Sequence, residues 1–311
     1  MEMVRAAPAP GLRPLIAHYH GYHERGAPPG RHRGLPSPYL TLIVTLEEPL
    51  TVTAHPDPGQ SPGRYDALVG GLHTAPALIT HEGRQAGVQL ALSPLGARAL
   101  LGVPAGELRN LDVDAGDLLG PAARELHGRL NSASGWAERF AVLDESLLRH
   151  ADLERAVPAE VVRAWRLLTS SGGGLTVSEL ARDVGWSSRH LRARFTAEIG
   201  LTPKAAARVI RFDRARRRLQ SLTASAGSGG VRHSPPRVTS GAPPATSRQE
   251  HAGRPAVPAL ADLAAECGYY DQAHLAREFR DLAGCAPSRW LAEEFRFVQA
   301  AAPASRGDST A

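Results

Sequence analysis

LARDVGWSSRHLRARFTAEIGLTP, residues 180–203, decides the fold of the C-terminal half, because its spacing of apolar and turn residues returns in LADLAAECGYYDQAHLAREFRDLAGCAPSRW, residues 260–290. Leu180-Ala181, Gly185, Leu191, Phe195, Gly200 and Pro203 answer to Leu263-Ala264, Gly268, Leu275, Phe279, Gly284 and Pro287. The step from Leu to Gly is 5 residues in both copies, that from Gly to Leu is 6 and then 7, and the remaining steps are 4, 5 and 3 in both. A short helix stopped by glycine, followed by a helix whose Leu/Phe pair at i, i+4 faces inward, accounts for each copy as a helix-turn-helix. The second helix of such a unit is of a size to enter the major groove of a duplex.

Local signals fix the boundaries of the first copy, expected over 176–200. Thr176-Val177-Ser178-Glu179 reads as a capping box, in which the Thr hydroxyl accepts from the third amide and the Glu carboxylate accepts from the cap amide. Gly185 ends that helix, and Ser187 caps the next, which runs to about Ile199. A preceding helix over Ala159 to Thr169 is expected to carry Val162, Trp165 and Leu168 on one side, with a stop at Ser170 to Gly174. After Pro203, Lys204 to Leu222 reads as a helix with Val209, Phe212, Ala215 and Leu219 inward and a row of arginines outward. Residues 223–258 hold six Pro, five Gly and five Ser and are expected to form a disordered insertion. The second helix-turn-helix is expected over 259–284, the whole helical domain over 159–297, and a flexible tail over 298–311.

The first 158 residues read differently. Tyr39 to Leu46, Leu50 to Ala54, Asp66 to Leu72, Ala77 to His81 and Gly87 to Leu92 are short apolar runs separated by Pro and Gly, as in a small barrel or sandwich. From Leu95 the pattern turns helical, through Ala122 to Leu130 and Trp136 to Val157, where Trp136, Phe140, Leu143 and Leu147 form one face. The expected class is α+β: a β-rich, cupin-like barrel plus helices over 1–158, serving as a sensor or dimerisation domain, then an all-α domain of two helix-turn-helix subdomains.

Charge is unevenly spread. Residues 1–158 carry 14 Lys/Arg against 17 Asp/Glu, 182–218 carry 11 against 3, and 259–297 carry 4 against 7. A basic block on the first helix-turn-helix is the footprint of phosphate binding; a solvated face is the alternative. No apolar run approaches the roughly 20 residues of a spanning helix, so no membrane partner is expected. The Ala/Pro-rich start lacks a signal-peptide core, and the two cysteines, Cys267 and Cys285, form neither a CxxC nor a disulfide framework. A cytoplasmic location is expected.

The two quoted stretches, within 159–297, resemble the DNA-binding domain of the AraC/XylS family of bacterial transcription regulators, each with its trailing Gly-x-x-Pro. The resemblance implies two subdomains joined by a helix that enter successive major-groove segments, preceded by a sensing or dimerising domain. The Gly102 to Leu108 stretch, GVPAGEL, is similar to an actinobacterial style of these regulators. The chain departs from the family at 223–258, where about 30 extra residues separate the two motifs; loop entropy makes this cheap, at about 0.6 kcal/mol per doubling of length.

The resemblance puts the base-facing positions on Arg189, Arg192 and Ala193 in the first motif and on Gln272, Ala273 and Arg277 in the second. Guanidinium forks suit guanine, and a glutamine amide suits adenine. Arg189, Arg192, Gln272 and Arg277 are therefore the expected base readers. Ser187 and Ser188 at the helix start, Arg194, Lys204, Arg208, Arg211 and His274 are the expected backbone or secondary contacts. For the arginine row of the linker helix, a face of ion pairs is the competing reading.

An enzyme is not expected. No nucleophile elbow, P-loop or dinucleotide fingerprint occurs, Cys267 reads as a core residue, and no cofactor is implied. His18, His20 and His23 give an H-x-H-x-x-H run without a completing carboxylate, which reads as surface residues ahead of the main strands rather than as a metal site. The expected function is sequence-specific regulation of transcription through double-stranded DNA, modulated by a small-molecule effector or a homodimer contact, with RNA polymerase as a further candidate partner. The alternative is a ligand-sensing, cupin-like protein with weak or non-specific DNA binding.

Overall fold

The structure, a computed structural model, describes residues 2–228 and 260–301. Ten strands come first: β1 (Glu2–Ala6), β2 (Ile16–Glu24), β3 (Gly30–Gly34), β4 (Leu40–Thr45), β5 (Leu50–Ala54), β6 (Gly63–Tyr65), β7 (Ala67–Gly70), β8 (Ala77–His81), β9 (Gln85–Leu92) and β10 (Asp112–Asp114). They form a six-stranded sheet in the order β1-β2-β9-β4-β7-β10 and a four-stranded sheet in the order β3-β8-β5-β6, antiparallel throughout. The expected α+β class, β-rich first and helical after, is what the chain adopts.

Period-2 alternation assigns the two faces of the larger sheet. Tyr19 on β2, Leu40, Leu42 and Val44 on β4, and Val88, Leu90 and Leu92 on β9 belong to the main apolar cluster on one face. Their neighbours His18, His20, Thr41, Ile43, Gln89 and Ala91 turn the other way and line a cavity. This corrects the sequence reading of the histidine run. β2 lies inside the sheet, pairing β1 and β9, and its histidines are neither surface residues nor outside the main strands. Alternation also separates them: His18 and His20 share the cavity face, whereas His23 lies on the opposite face, 3.4 Å from Glu47.

The helices that follow are α1 (Ala97–Leu101), α2 (Ala115–Leu119), α3 (Pro121–Ser132), α4 (Trp136–His150), α5 (Ala159–Ser170), α6 (Val177–Asp183), α7 (Ser188–Ile199), α8 (Pro203–Ser228), α9 (Leu260–Glu266), α10 (Gln272–Ala283) and α11 (Pro287–Ala301). α4 covers the outer face of the larger sheet. Its Trp136 ring lies so close over β2 that a Cβ at Gly21 would sit 2.4 Å from it, and Phe140 stacks on Tyr19 at 6.0 Å. α4 stops at His150, short of the expected Val157. On α5 the buried stripe is Val161, Ala164, Trp165 and Leu168, so Val161 rather than Val162 takes the inward place at i, i+3, i+4, i+7.

The capping box forms as expected: the Glu179 amide donates to Thr176 Oγ1 at 3.2 Å, and the Thr176 amide donates to Glu179 Oε2 at 2.7 Å. Ser187 caps α7 by accepting from the His190 amide. Gly185 and Gly268 have φ of 72° and 77°, the left-handed conformation that turns the chain between paired helices. α8 runs on through 223–228, which the sequence had assigned to the insertion; the rest of the expected loop, from 229, lies outside the described residues. α11 likewise runs through 298–301, and the expected tail lies outside them from 302.

Among the described residues the main apolar cluster runs from Leu12 and Tyr19 beneath the larger sheet to Leu263, Phe279 and Trp290 around the second helix-turn-helix, and a smaller one, Val52, Leu68, Ala77 and Ile79, lies apart from it. The β-rich part and the helical part also meet at a fitted seam. Arg98 on α1 makes a bidentate pair with the buried Glu198 on α7, at 2.8 and 3.0 Å. Beside it, the 3₁₀ turn Ala105–Leu108 packs against the last turns of α7. A Cβ at Gly106 would stand 2.0 Å from the Ala197 carbonyl oxygen, so only glycine permits this approach.

Candidate nucleic-acid interface and the cavity behind it

Capping fixes where the second helix of each motif begins, and the buried Leu/Phe pair fixes its rotation. In α7, Leu191 and Phe195 are fully buried, Phe195 against Trp165 at 6.1 Å. That leaves Ser187, Ser188, Arg189, Arg192, Ala193 and Arg194 exposed on the first two turns. Neither Arg189 nor Arg192 has a carboxylate partner among the described residues. The arrangement can do what such a helix needs to do: present two free guanidinium forks on one face, from a helix start whose amides favour an anion.

In α10, Leu275 and Phe279 are buried in the same way, Phe279 edge-on to Phe212 at 5.0 Å and tilted against Trp290 at 5.6 Å. Gln272, Ala273 and Arg277 are exposed. His274 is half-buried. It stands edge-on to Tyr269 at 5.2 Å, its amide donates to the Asp271 cap, and its Nδ1 accepts from the Tyr270 amide at 3.3 Å. In the first motif Trp186 and His190 make the equivalent edge contact at 4.6 Å. An aromatic residue with a following histidine thus props each turn, and the extra residue in the second copy is taken up there. Tyr270, 93 % exposed beside the α10 cap, was not singled out by sequence reasoning.

Two expected phosphate contacts are engaged elsewhere. Arg208 donates to Glu278 at 2.8 Å and to Asp281 at 3.0 Å; Arg211 donates to Glu278 at 3.3 Å and to the Gly173 carbonyl at 2.9 Å. Glu278 is buried on α10, and withdrawing these arginines would leave its charge uncompensated. Arg208 and Arg211 therefore hold α8 to α10. Further along the row Arg217 pairs with Asp213 at 2.7 Å and lies over the Tyr39 ring at 5.9 Å, reaching the β-rich part. Lys204 and Arg194 remain exposed.

Between the two sheets lies a cavity of about 320 Å³. Its walls include His18, His20, Tyr22 and Asp112 from the sheets, and from the helical part Arg216, Arg217 and Gln220 of α8 and Trp290 and Glu294 of α11. Burial, helped by the neighbouring His20 and then by Arg5, Arg217 and Arg216, pushes the His18 imidazole down to about 3; burial and the same arginines push His20 down to about 4. Burial, with a smaller contribution from His81, lowers His32 to about 4. Glu294, which accepts from the Arg33 amide at 3.0 Å, is raised by burial to about 7. Among the described residues no three His, Cys, Asp or Glu side chains are grouped so as to hold a metal ion.

These shifts set a pH dependence. An unfolded histidine takes up a proton near 6.5, whereas His18, His20 and His32 stay neutral in the fold. Between about 6.5 and about 4 the unfolded chain binds more protons, so stability falls as pH falls. Glu294 acts in the opposite sense below about 7. The melting temperature of a His18→Gln/His20→Gln variant is expected to fall less steeply than that of the wild type between pH 6.5 and 4.5. Parallel curves would refute neutral, buried imidazoles at these two positions.

A family model described as a domain of unknown function, DUF6597, matches residues 4–114. No curated protein matches the chain in sequence. Among solved structures, ToxT from Vibrio cholerae, in a form solved at 1.65 Å, is similar with 8 % identity and a TM-score of 0.47, over 88 % of this chain and 98 % of that one. ToxT of strain SCE256 with an unsaturated fatty acid bound has 9 % identity and a TM-score of 0.45 over 88 % and 94 %. Among the described residues no helix is long and apolar enough to cross a membrane.

Proposed function

We propose that this chain is a transcription regulator that reads duplex DNA through α7 and α10, and that the state of its β-rich part governs how those helices are presented. The single observation that carries the reading is the duplicated helix-turn-helix whose first recognition helix exposes Arg189 and Arg192, without carboxylate partners among the described residues, while Leu191 and Phe195 lock its rotation. In this reading Arg189, Arg192, Gln272 and Arg277 face bases. Ser187, Ser188, Arg194 and Lys204 hold phosphates, and His274 serves the turn from which α10 starts.

The cavity is the natural seat for a small-molecule effector. An occupant would touch both sheets and, through Arg216, Arg217 and Trp290, the helices that position the two reading heads. It acts to the extent that it binds one arrangement of those helices better than another.

Selection of genomic fragments by the purified chain tests the reading. Enrichment of one motif is expected; uniform recovery of all fragments, lost steeply with salt, would mean phosphate binding alone. The second reading, a ligand sensor with weak or non-specific DNA binding, is favoured by the net charge of −3 over 259–297, and uniform recovery is the result it requires.

A further inference from the structure

The 3₁₀ turn that docks on α7 belongs to the β-rich part, and the residue that ends it, Arg109, has no place in the interface described so far. Its amide closes the turn on the Gly106 carbonyl, and its side chain is exposed with no ion-pair partner among the described residues. Arg109 shares one shallow, open concavity with Arg189, Arg192 and Ala193. Thr196 and Ala197 continue the same wall. Residues 189, 192, 193, 196 and 197 are spaced i, i+3, i+4, i+7, i+8, so they form a single face of α7. The first two turns of that face are open, and Gly106 stands against the backbone of its third turn, at the Thr196 and Ala197 carbonyls.

Three arginines from two parts of the molecule thus border one opening, without a carboxylate on any of them among the described residues. Elsewhere along the seam, Arg98 is matched by Glu198 and Arg33 by Glu293 and Glu294. The unmatched set fits a polyanion. A duplex supplies one negative charge per about 3.4 Å of axis on each strand. A strand bordering the groove that α7 enters would run past the third turn of the helix, where the 3₁₀ turn stands.

We propose that Arg109, carried by the N-terminal β-rich part, binds a DNA phosphate beside the first recognition helix, so that the DNA-facing surface extends across the seam onto that part. This rests on the reading of α7 as a DNA-reading helix. Arg109 adds affinity without sequence information, because a phosphate contact positions and does not specify.

The test uses the full chain and a short duplex carrying the motif recovered by genomic selection, or any one genomic fragment if none is enriched. The slope of log binding constant against log salt is measured between about 50 and 200 mM. Wild type is compared with Arg109→Ala, Arg189→Ala and, as a control for charge alone, Arg124→Ala, an exposed arginine on α3 without an ion pair among the described residues. Removing one phosphate contact should make the slope shallower by about one unit. Arg109→Ala is expected to do this and to weaken motif and scrambled duplexes equally, with Arg124→Ala behaving as wild type. A slope for Arg109→Ala equal to that of Arg124→Ala, with Arg189→Ala still weakening motif binding, would overturn the Arg109 contact and leave the reading of α7 standing. If Arg189→Ala also binds every duplex like the wild type, both fall.

Discussion

Arg189→Ala is expected to weaken binding of the preferred duplex by about 1–3 kcal/mol, roughly 5- to 150-fold, and to relax the preference at one base pair. The magnitude follows from what the residue has available. Its side chain is exposed on the first turn of α7, no carboxylate among the described residues competes for it, and the fork geometry matches the two acceptors on the major-groove edge of guanine. The same exposure predicts an unchanged melting temperature, so the loss would belong to recognition and not to folding. The measurement is competition binding against duplexes altered one base pair at a time. Arg194→Ala supplies the contrast, with a uniform loss across all competitors. Uniform loss for Arg189→Ala as well would remove it from the base-reading set and make it a phosphate contact.

Phe279→Ala is expected to cost about 3–5 kcal/mol of stability, a large share of the 5–15 kcal/mol that holds a typical protein folded. Phe279 is 1 % exposed, and its ring contacts Phe212 of α8 and Trp290 of α11, so three helices meet on it. Removing the ring opens a void that none of the three can close without moving the other two. Chemical denaturation would record a lower midpoint. A loss below about 1 kcal/mol would mean that this site collapses freely, contrary to the close packing drawn above. Phe195→Ala removes the matching ring from the first motif, where Trp165 is the neighbour, and serves as the internal comparison.

The parts of the fold legible in the sequence are those encoded by near neighbours. Thr176 and Glu179, or Ser187 and the His190 amide, lie three residues apart, so the helix starts could be read from composition and spacing. Strands β5 and β8 fall where their apolar runs stand. β2 was missed because its cavity face is His18, His20 and Tyr22 and its other face includes Gly21 beneath Trp136, a pattern with little β-branched signal. The same strand shows why the histidine run misleads: spacing along the chain says nothing of faces until the period is known.

The candidate site divides in a similar way. Which residues of α7 and α10 face outward was legible, since the inward Leu/Phe pairs set the rotation. The fate of the arginine row was not. Arg208 and Arg211 answer to Glu278, some 70 residues further on, and no local pattern links them. Arg109 was equally out of reach, because its relation to Arg189 exists only once Gly106 has met Ala197 across the seam.

The apolar cluster that runs unbroken from Tyr19 to Trp290 has a consequence for how the molecule keeps its energy. Among the described residues no layer of water separates the larger sheet from the helices packed on it, so loosening either one would wet the other's interior. A molecule that fills the space between the sheets and binds only the folded chain would stabilise it by RT ln(1 + [L]/Kd), and Trp290 and Glu294, which line that space, carry the gain to the helical part. Severing the chain near Pro158 would leave each fragment with an unclosed wound of hydrocarbon. α7 and α10 thus share their interior with the larger sheet, one wall of the chamber behind them.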